Sequence, residues 1–201
     1  LSSNAIKFLK KDPKLAKIIR RVGGYDIILV KNPYESLVEA IITQQLSGKA
    51  AESISKRFRE LFGRFPKPTE VLKASDSKLR TTGLSTMKIK YIKDLSKKIV
   101  TKELRINSLK NLTDEEVIVQ LTLVKGIGRW TAEMFLIFSL GRPDVLPVGD
   151  LGLRKGIRRL YSLSELPQKD KIEQIAQKWR PYRTVATWYI WKSLNQFDKI
   201  G

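Results

Sequence analysis

The 201 residues include no cysteine and no histidine, and only two methionines. Those absences remove whole classes of chemistry. Without thiols there is no disulfide, no thiol nucleophile and no cysteine-held iron–sulfur cluster, and without imidazoles the usual zinc sites and histidine acid–base catalysis go as well. Acidic residues are scarce too: 20 Asp and Glu stand against 39 Lys and Arg, a formal charge of +19 with a pI near 10.1. No uninterrupted apolar run approaches the ~18 residues of a membrane-spanning helix, and Leu1-Ser2-Ser3-Asn4 does not open a signal peptide. The expectation is a soluble, non-secreted, intracellular protein with no membrane partner, whose counter-charge is the phosphate of nucleic acid. Any catalysis must rest on carboxylates, amines or hydroxyls.

What remains is helical nearly throughout. Apolar residues recur at helical spacing over 4–11 and 13–22, and again after Asn32-Pro33, where Leu37, Ala40 and Ile41 share one face of a helix ending near Gln44. Further helices are expected over 49–62, 69–74, 75–81 and 86–100, and later over 151–161, 170–179 and 184–194. Only Ile27-Ile28-Leu29-Val30 has strand character. At this length the chain can bury one substantial core or two small linked ones.

The most informative stretch is Leu123-Val124-Lys125-Gly126-Ile127-Gly128-Arg129-Trp130-Thr131-Ala132, followed twenty residues after Trp130 by Asp150. Upstream, Thr113-Asp114-Glu115-Glu116 has the form of a capping box, and Val117, Leu121 and Val124 follow at helical spacing. Downstream, Trp130, Met134, Ile137 and Phe138 form a second apolar stripe, stopped by Gly141 and Pro143. The unit is helix, hairpin, helix over 113–140. Taken alone, Gly-Ile-Gly is most simply a connector. It also permits a tight turn whose following helix presents unpaired N–H groups, which suits a phosphate. Asp150, ahead of a helix with Leu153, Ile157 and Leu160 on one face, reads on local pattern as an N-cap. The positive end of that helix would then stabilise its negative charge.

The hairpin, the trailing Pro147-Val148-Gly149-Asp150 and the earlier Ile41-Ile42-Thr43-Gln44-Gln45-Leu46-Ser47 together resemble the helix-hairpin-helix superfamily of DNA glycosylases, closest to its alkylbase branch of the 3-methyladenine DNA glycosylase II type. The resemblance runs from about Asn32 to Trp191 and implies a compact form without the N-terminal β-rich domain of the bacterial type enzyme. It implies an all-α fold of two helical subdomains, one over 33–141 and one formed by 1–32 with 142–201, with an active-site cleft between them in a single domain of 1–201. By resemblance Asp150 is the catalytic carboxylate, stabilising a sugar cation and orienting water. Trp130, Trp191 and Met134 line the base pocket, where electron-rich ring faces attract a cationic alkylated base.

The resemblance further implies that Gln45, Leu46 and Ser47 meet DNA, with Leu46 filling the gap left by a flipped base. On the same resemblance Gly126, Gly128, Arg129 and Thr131 are expected to contact the DNA backbone, and Lys49 and Lys88 are further phosphate candidates. The carbonyls of Thr122, Val124 and Ile127 are implied to hold a sodium or potassium ion, while catalysis needs no cofactor. The implied partner is double-stranded DNA with damaged bases, met by a monomer. In the bifunctional members a lysine two positions after the last hairpin glycine is the amine nucleophile; here that position is Trp130, so no lyase activity is expected. A related glycosylase for other damaged or mismatched bases, and a non-catalytic DNA-binding module, are the alternatives.

Overall fold

The computed structural model describes residues 2–46 and 48–197, and among them there is no strand. The α-helices in chain order are α1 (Ser2–Leu9), α2 (Pro13–Val22), α3 (Pro33–Thr43), α4 (Gly48–Leu61), α5 (Pro68–Lys73), α6 (Asp76–Arg80), α7 (Thr86–Val100), α8 (Asp114–Thr122), α9 (Arg129–Phe138), α10 (Leu151–Tyr161), α11 (Lys169–Ala176) and α12 (Arg183–Phe197). Short 3-10 turns at Ile106–Asn111 and Gln177–Trp179 complete the list. None of the helices is long and apolar enough to cross a membrane.

Local chemistry explains most of the starts. Asn32 accepts the N–H groups of Tyr34 and Glu35 ahead of Pro33, and Thr113 and Glu116 close a reciprocal capping box on α8. The strand expected at residues 27–30 does not form. A lone apolar run finds no second strand; Ile28 is 79% exposed, and the Val30 N–H donates instead to the Phe138 carbonyl at the end of α9 (2.8 Å). That carbonyl is among the last four of a helix, which have no partner within it.

The chain divides into two compact units, residues 1–28 with 141–201, and residues 29–140. The divisions fall at 28/29 and 140/141 rather than 32/33 and 141/142. The Val30 N–H bond and the Ser139 Oγ–Val30 carbonyl bond (3.3 Å) tie the segment before α3 to α9.

In the 29–140 unit, α3 is the central helix. Leu37, Val38, Ile41 and Ile42 have no solvent exposure, and α3 packs against α4, α7 and α9. The Tyr34 hydroxyl and Ser96 Oγ are paired at 2.7 Å inside this core. In the other unit the central helix is α12, packed against α10, α2 and α1, with residues 184–190 all buried. A helix buried on every side is held in rotation as well as position. Its approach to α10 depends on Gly156, where a Cβ would lie 2.1 Å from Ile190 Cγ2.

The N-terminal helices share this unit's apolar core through Leu9, Leu15 and Ile19, and a buried carboxylate adds a polar tie. Asp12 caps α2 through the Lys14 N–H (3.1 Å) and accepts from Trp179 Nε1 (3.1 Å), the Tyr161 hydroxyl and Lys178 Nζ (3.0 Å). Burial alone would raise its pKa, but the hydrogen bonds from Tyr161, Trp179 and Lys178 outweigh it and hold the carboxyl below its ordinary value. Burial, with the neighbouring carboxylate, pushes the Tyr161 hydroxyl up.

Because the folded pKa lies below the unfolded one, this carboxylate contributes stability above about pH 4 that is lost as pH falls through the folded value. Asp12→Ala should therefore destabilise the protein by about 3 kcal/mol at neutral pH. In thermal melts the gap between variant and wild type should narrow below about pH 4. A gap that stays constant into strong acid would contradict the assignment.

Candidate active site and nucleic-acid interface

The half-buried carboxylate of Asp150 stands at the N-terminus of α10. Its Oδ1 accepts two hydrogen bonds, from the Leu153 N–H (2.6 Å) and from Trp191 Nε1 (2.8 Å). The first is the N-cap expected from the sequence. The second joins α10 to α12 and gives Trp191 a role that no local pattern announces, since the partners lie 41 residues apart. Gly152 leaves room for it: a Cβ there would lie 3.1 Å from Asp150 Oδ1 and 3.3 Å from Trp191 Nε1.

The loop before Asp150 is equally fixed. The Arg183 guanidinium donates to Asp144 Oδ1 (2.8 Å) and Oδ2 (3.0 Å), and the Val145 N–H donates to Thr184 Oγ1 (2.9 Å). A carboxylate gripped in this way is a preorganised negative charge, suited to stabilise positive charge that develops beside it.

In the other unit, α8 and α9 are joined by a tight hairpin. Gly126 has φ +81°, the left-handed region, and a Cβ there would lie 2.2 Å from the Tyr91 ring. Gly128 is different: its backbone is extended and nothing lies within 4 Å of its missing Cβ. Gly126 is therefore glycine so that the chain can turn against Tyr91. Gly128 leaves the start of α9 open, where the first-turn N–H groups, Thr131 among them, have no helical acceptor. Such an opening accepts a phosphate oxygen.

The hairpin is tied into its unit by the Lys125 N–H, which donates to Asp94 Oδ2 (2.9 Å), and by Gln44 Nε2, which donates to the Gly126 carbonyl (2.8 Å). Gln44 leads the turn after α3. There Gln45 takes a left-handed conformation (φ +55°), and Leu46 is 39% exposed rather than packed in the core. Ser47, expected beside them, lies outside the described residues. Trp130 and Met134 share one face of α9; Trp130 is 46% exposed while most of that helix is buried, and Met134 is half-buried.

Residues 38–181, which contain both the hairpin and Asp150, match the HhH-GPD superfamily of base excision DNA repair proteins. The chain belongs to this superfamily. It is 38% identical to DNA-3-methyladenine glycosylase 1 of Schizosaccharomyces pombe, over 93% of this chain and 85% of that protein. In three dimensions it is similar to the S. pombe 3-methyladenine DNA glycosylase solved in complex with abasic DNA, with TM-score 0.87 and 37% identity over 96% of this chain and 97% of that one. It is similar also to a DNA-3-methyladenine glycosidase from Bacillus halodurans, with TM-score 0.85 and 40% identity over 96% and 89%.

Within the HhH-GPD frame, two basic residues expected at phosphates have other partners. Arg129 donates to both carboxylate oxygens of Glu115 (2.8 Å each) and to Glu133 (3.2 Å), so it joins α8 to α9. Lys88 points into its own unit, onto the carbonyls of Ile42 and Gln44 (2.8 Å each). The expected ion-binding carbonyls suit a monovalent cation, because Thr122, Val124 and Ile127 offer neutral main-chain oxygens only. Thr122 ends α8, so its carbonyl has no acceptor role within the helix. Among the described residues no cluster of three carboxylate, imidazole or thiol groups could hold a metal ion.

The two hairpin glycines should separate in mutants. Gly126→Ala should cost about 2 kcal/mol or more, from the left-handed backbone and the displaced Tyr91 ring. Gly128→Ala should cost under about 1 kcal/mol while weakening affinity for undamaged duplex, because its methyl lies where an oxygen would approach. Thermal melts and duplex titrations check both. Unchanged affinity in Gly128→Ala would remove the phosphate role from this opening.

Proposed function

We propose that the chain is a monofunctional DNA N-glycosylase that extrudes cationic alkylated purines of the 3-methyladenine type from duplex DNA and hydrolyses their glycosidic bond. The observation that carries the reading is the Asp150 carboxylate, held by the Leu153 N–H and Trp191 Nε1 in a chain whose similar proteins are named for 3-methyladenine.

The chemistry asks little more of the protein. Alkylation at a ring nitrogen already places positive charge on the base, so when the C1′–N bond breaks, its electron pair leaves with the base, which departs neutral. Positive charge then develops on C1′ and the ring oxygen of the sugar, and the fixed negative charge of Asp150 stabilises it. A water oxygen bonds to C1′ and releases a proton to solvent, leaving an intact abasic strand. No histidine is required.

The exposed indole of Trp130 offers an electron-rich face on which a cationic base stacks better than a neutral one. It also occupies the position where the resemblance places an amine nucleophile, and an indole cannot form a Schiff base. Leu46 is the wedge that enters the stack as the base leaves it. The hairpin amides grip phosphate, and a monovalent cation on the Thr122, Val124 and Ile127 carbonyls would add positive charge to that grip.

Release of free base from duplexes carrying single defined lesions tests the reading, with alkylated purines expected to lead the panel and Asp150→Asn expected to lose at least about a hundredfold in rate. The substituted amide keeps a capping oxygen, so lesion binding should stay within about tenfold. A folded Asp150→Asn variant with near-normal release would overturn the role of Asp150. Borohydride should trap no protein–DNA adduct; a trapped adduct would show an amine nucleophile at work. Leu46→Ala should impair lesion capture with little loss of thermal stability, whereas a buried leucine would cost ~2–5 kcal/mol. A large drop in melting temperature with unchanged activity per folded molecule would make Leu46 a core residue.

A further inference from the structure

Lys88 is a lysine whose charge is turned inward. From α7 its half-buried ammonium donates to the carbonyls of Ile42 and Gln44, both at 2.8 Å. Those carbonyls belong to the last turn of α3 and to the residue after it, where the negative end of a helix dipole favours a cation. Desolvation lowers its pKa from the ordinary lysine value.

Gln44 works in the opposite direction. While its carbonyl is held by Lys88, its side-chain amide reaches 82 residues along the chain to the Gly126 carbonyl, on the glycine pressed against Tyr91. Two residues beyond Gln44 stands the exposed Leu46, after the left-handed Gln45. The turn carrying Leu46 is therefore gripped from α7 on one side and bonded to the hairpin on the other.

We propose that Lys88 and Gln44 form a strut that fixes the Leu46 turn to the phosphate-gripping hairpin, making Lys88 a positioning residue for base extrusion and not a phosphate contact. The inference rests on the glycosylase reading for what Leu46 does. Its physical content is a fixed distance: a wedge opens a stack only if it cannot recoil, and the recoil is resisted by the part of the protein that holds the backbone. A flexible turn would follow the DNA instead of deforming it, and the unstacking energy would go unmatched.

The two roles for a lysine give opposite signatures in salt. A phosphate contact, once removed, weakens binding to every duplex and lowers the slope of log affinity against log salt by about one. A strut does neither. For Lys88→Met the expectation is an unchanged salt slope and unchanged affinity for undamaged duplex. Single-turnover release from a paired lesion should fall by about tenfold or more, and the loss should shrink when the lesion lies in a mismatch that is already easy to open. Gln44→Met, which alters no charge, should reproduce that pattern, and the double variant should lose less than the product of the two single losses.

Opening of the stack is followed without chemistry through the fluorescence of a 2-aminopurine beside an abasic site, which should rise on binding wild type and much less on binding either variant. A salt slope reduced by one in Lys88→Met would overturn the proposal in favour of a phosphate contact. Equal losses on paired and mismatched lesions, with a normal 2-aminopurine response, would overturn it in favour of a general support of the fold. If wild type itself releases no base, the glycosylase reading fails, and the 2-aminopurine response and the salt slope still decide the strut.

Discussion

The hydrogen bond from Trp191 to Asp150 is the contact on which the proposed chemistry depends, and much of one unit exists to hold it. Trp191 follows residues 184–190, which are buried without interruption, so α12 has no freedom to rotate. Gly156 lets α10 lie against Ile190, and Gly152 keeps the space around the bond clear. Asp144 and Thr184 fix the loop that delivers Asp150. A carboxylate positioned by one main-chain N–H alone could swing with its loop. Held also by an indole from a buried helix, it is in place before any charge forms, the condition under which electrostatic stabilisation is strongest.

In the other unit, two of the basic residues expected at phosphates are engaged within the protein. Arg129, in the hairpin sequence itself, is engaged by Glu115 and Glu133, and Lys88 by two carbonyls. The hairpin also turns main chain outward at Gly128, where nothing lies within 4 Å of the missing Cβ. Main-chain amides carry no sequence preference, which suits a protein that must meet damage in any sequence. The excess of lysine and arginine elsewhere supplies a diffuse positive field of the kind that draws nucleic acid in.

The helices were largely legible in the sequence because their signals are local. Asn32-Pro33, the Thr113–Glu116 box and Asp150 are caps formed within four residues, and each starts a helix where expected. Residues 27–30 misled because β-branched content describes a strand only when a second strand is present to pair with it. At the site, the hairpin, the capping role of Asp150 and the exposed Leu46 turn all follow from short motifs. The Trp191–Asp150 bond, the Gln44–Gly126 bond and the Lys88 clamp do not, because their partners lie 41, 82 and 44 to 46 residues apart. Two glycines alike in sequence proved unlike in space, Gly126 for its backbone angle and Gly128 for the emptiness around it.

The absence of histidine is consistent with the proposed substrate. A neutral purine leaves well only when a general acid protonates it, and a chain without imidazole would need a carboxyl kept protonated at neutral pH by burial. Asp150 sits at a helix N-terminus, where its Oδ1 accepts from the Leu153 N–H and from Trp191 Nε1. In the proposed reaction its part is to stabilise a sugar cation. The proposed substrate, a base that arrives already charged, needs no proton to leave, and the partly exposed indole of Trp130 suits the same class of base through the attraction of a cation to an aromatic face. On the proposed reading, carboxylate and indole each respond to one property of the lesion, its positive charge, and neither requires recognition of a particular alkyl group.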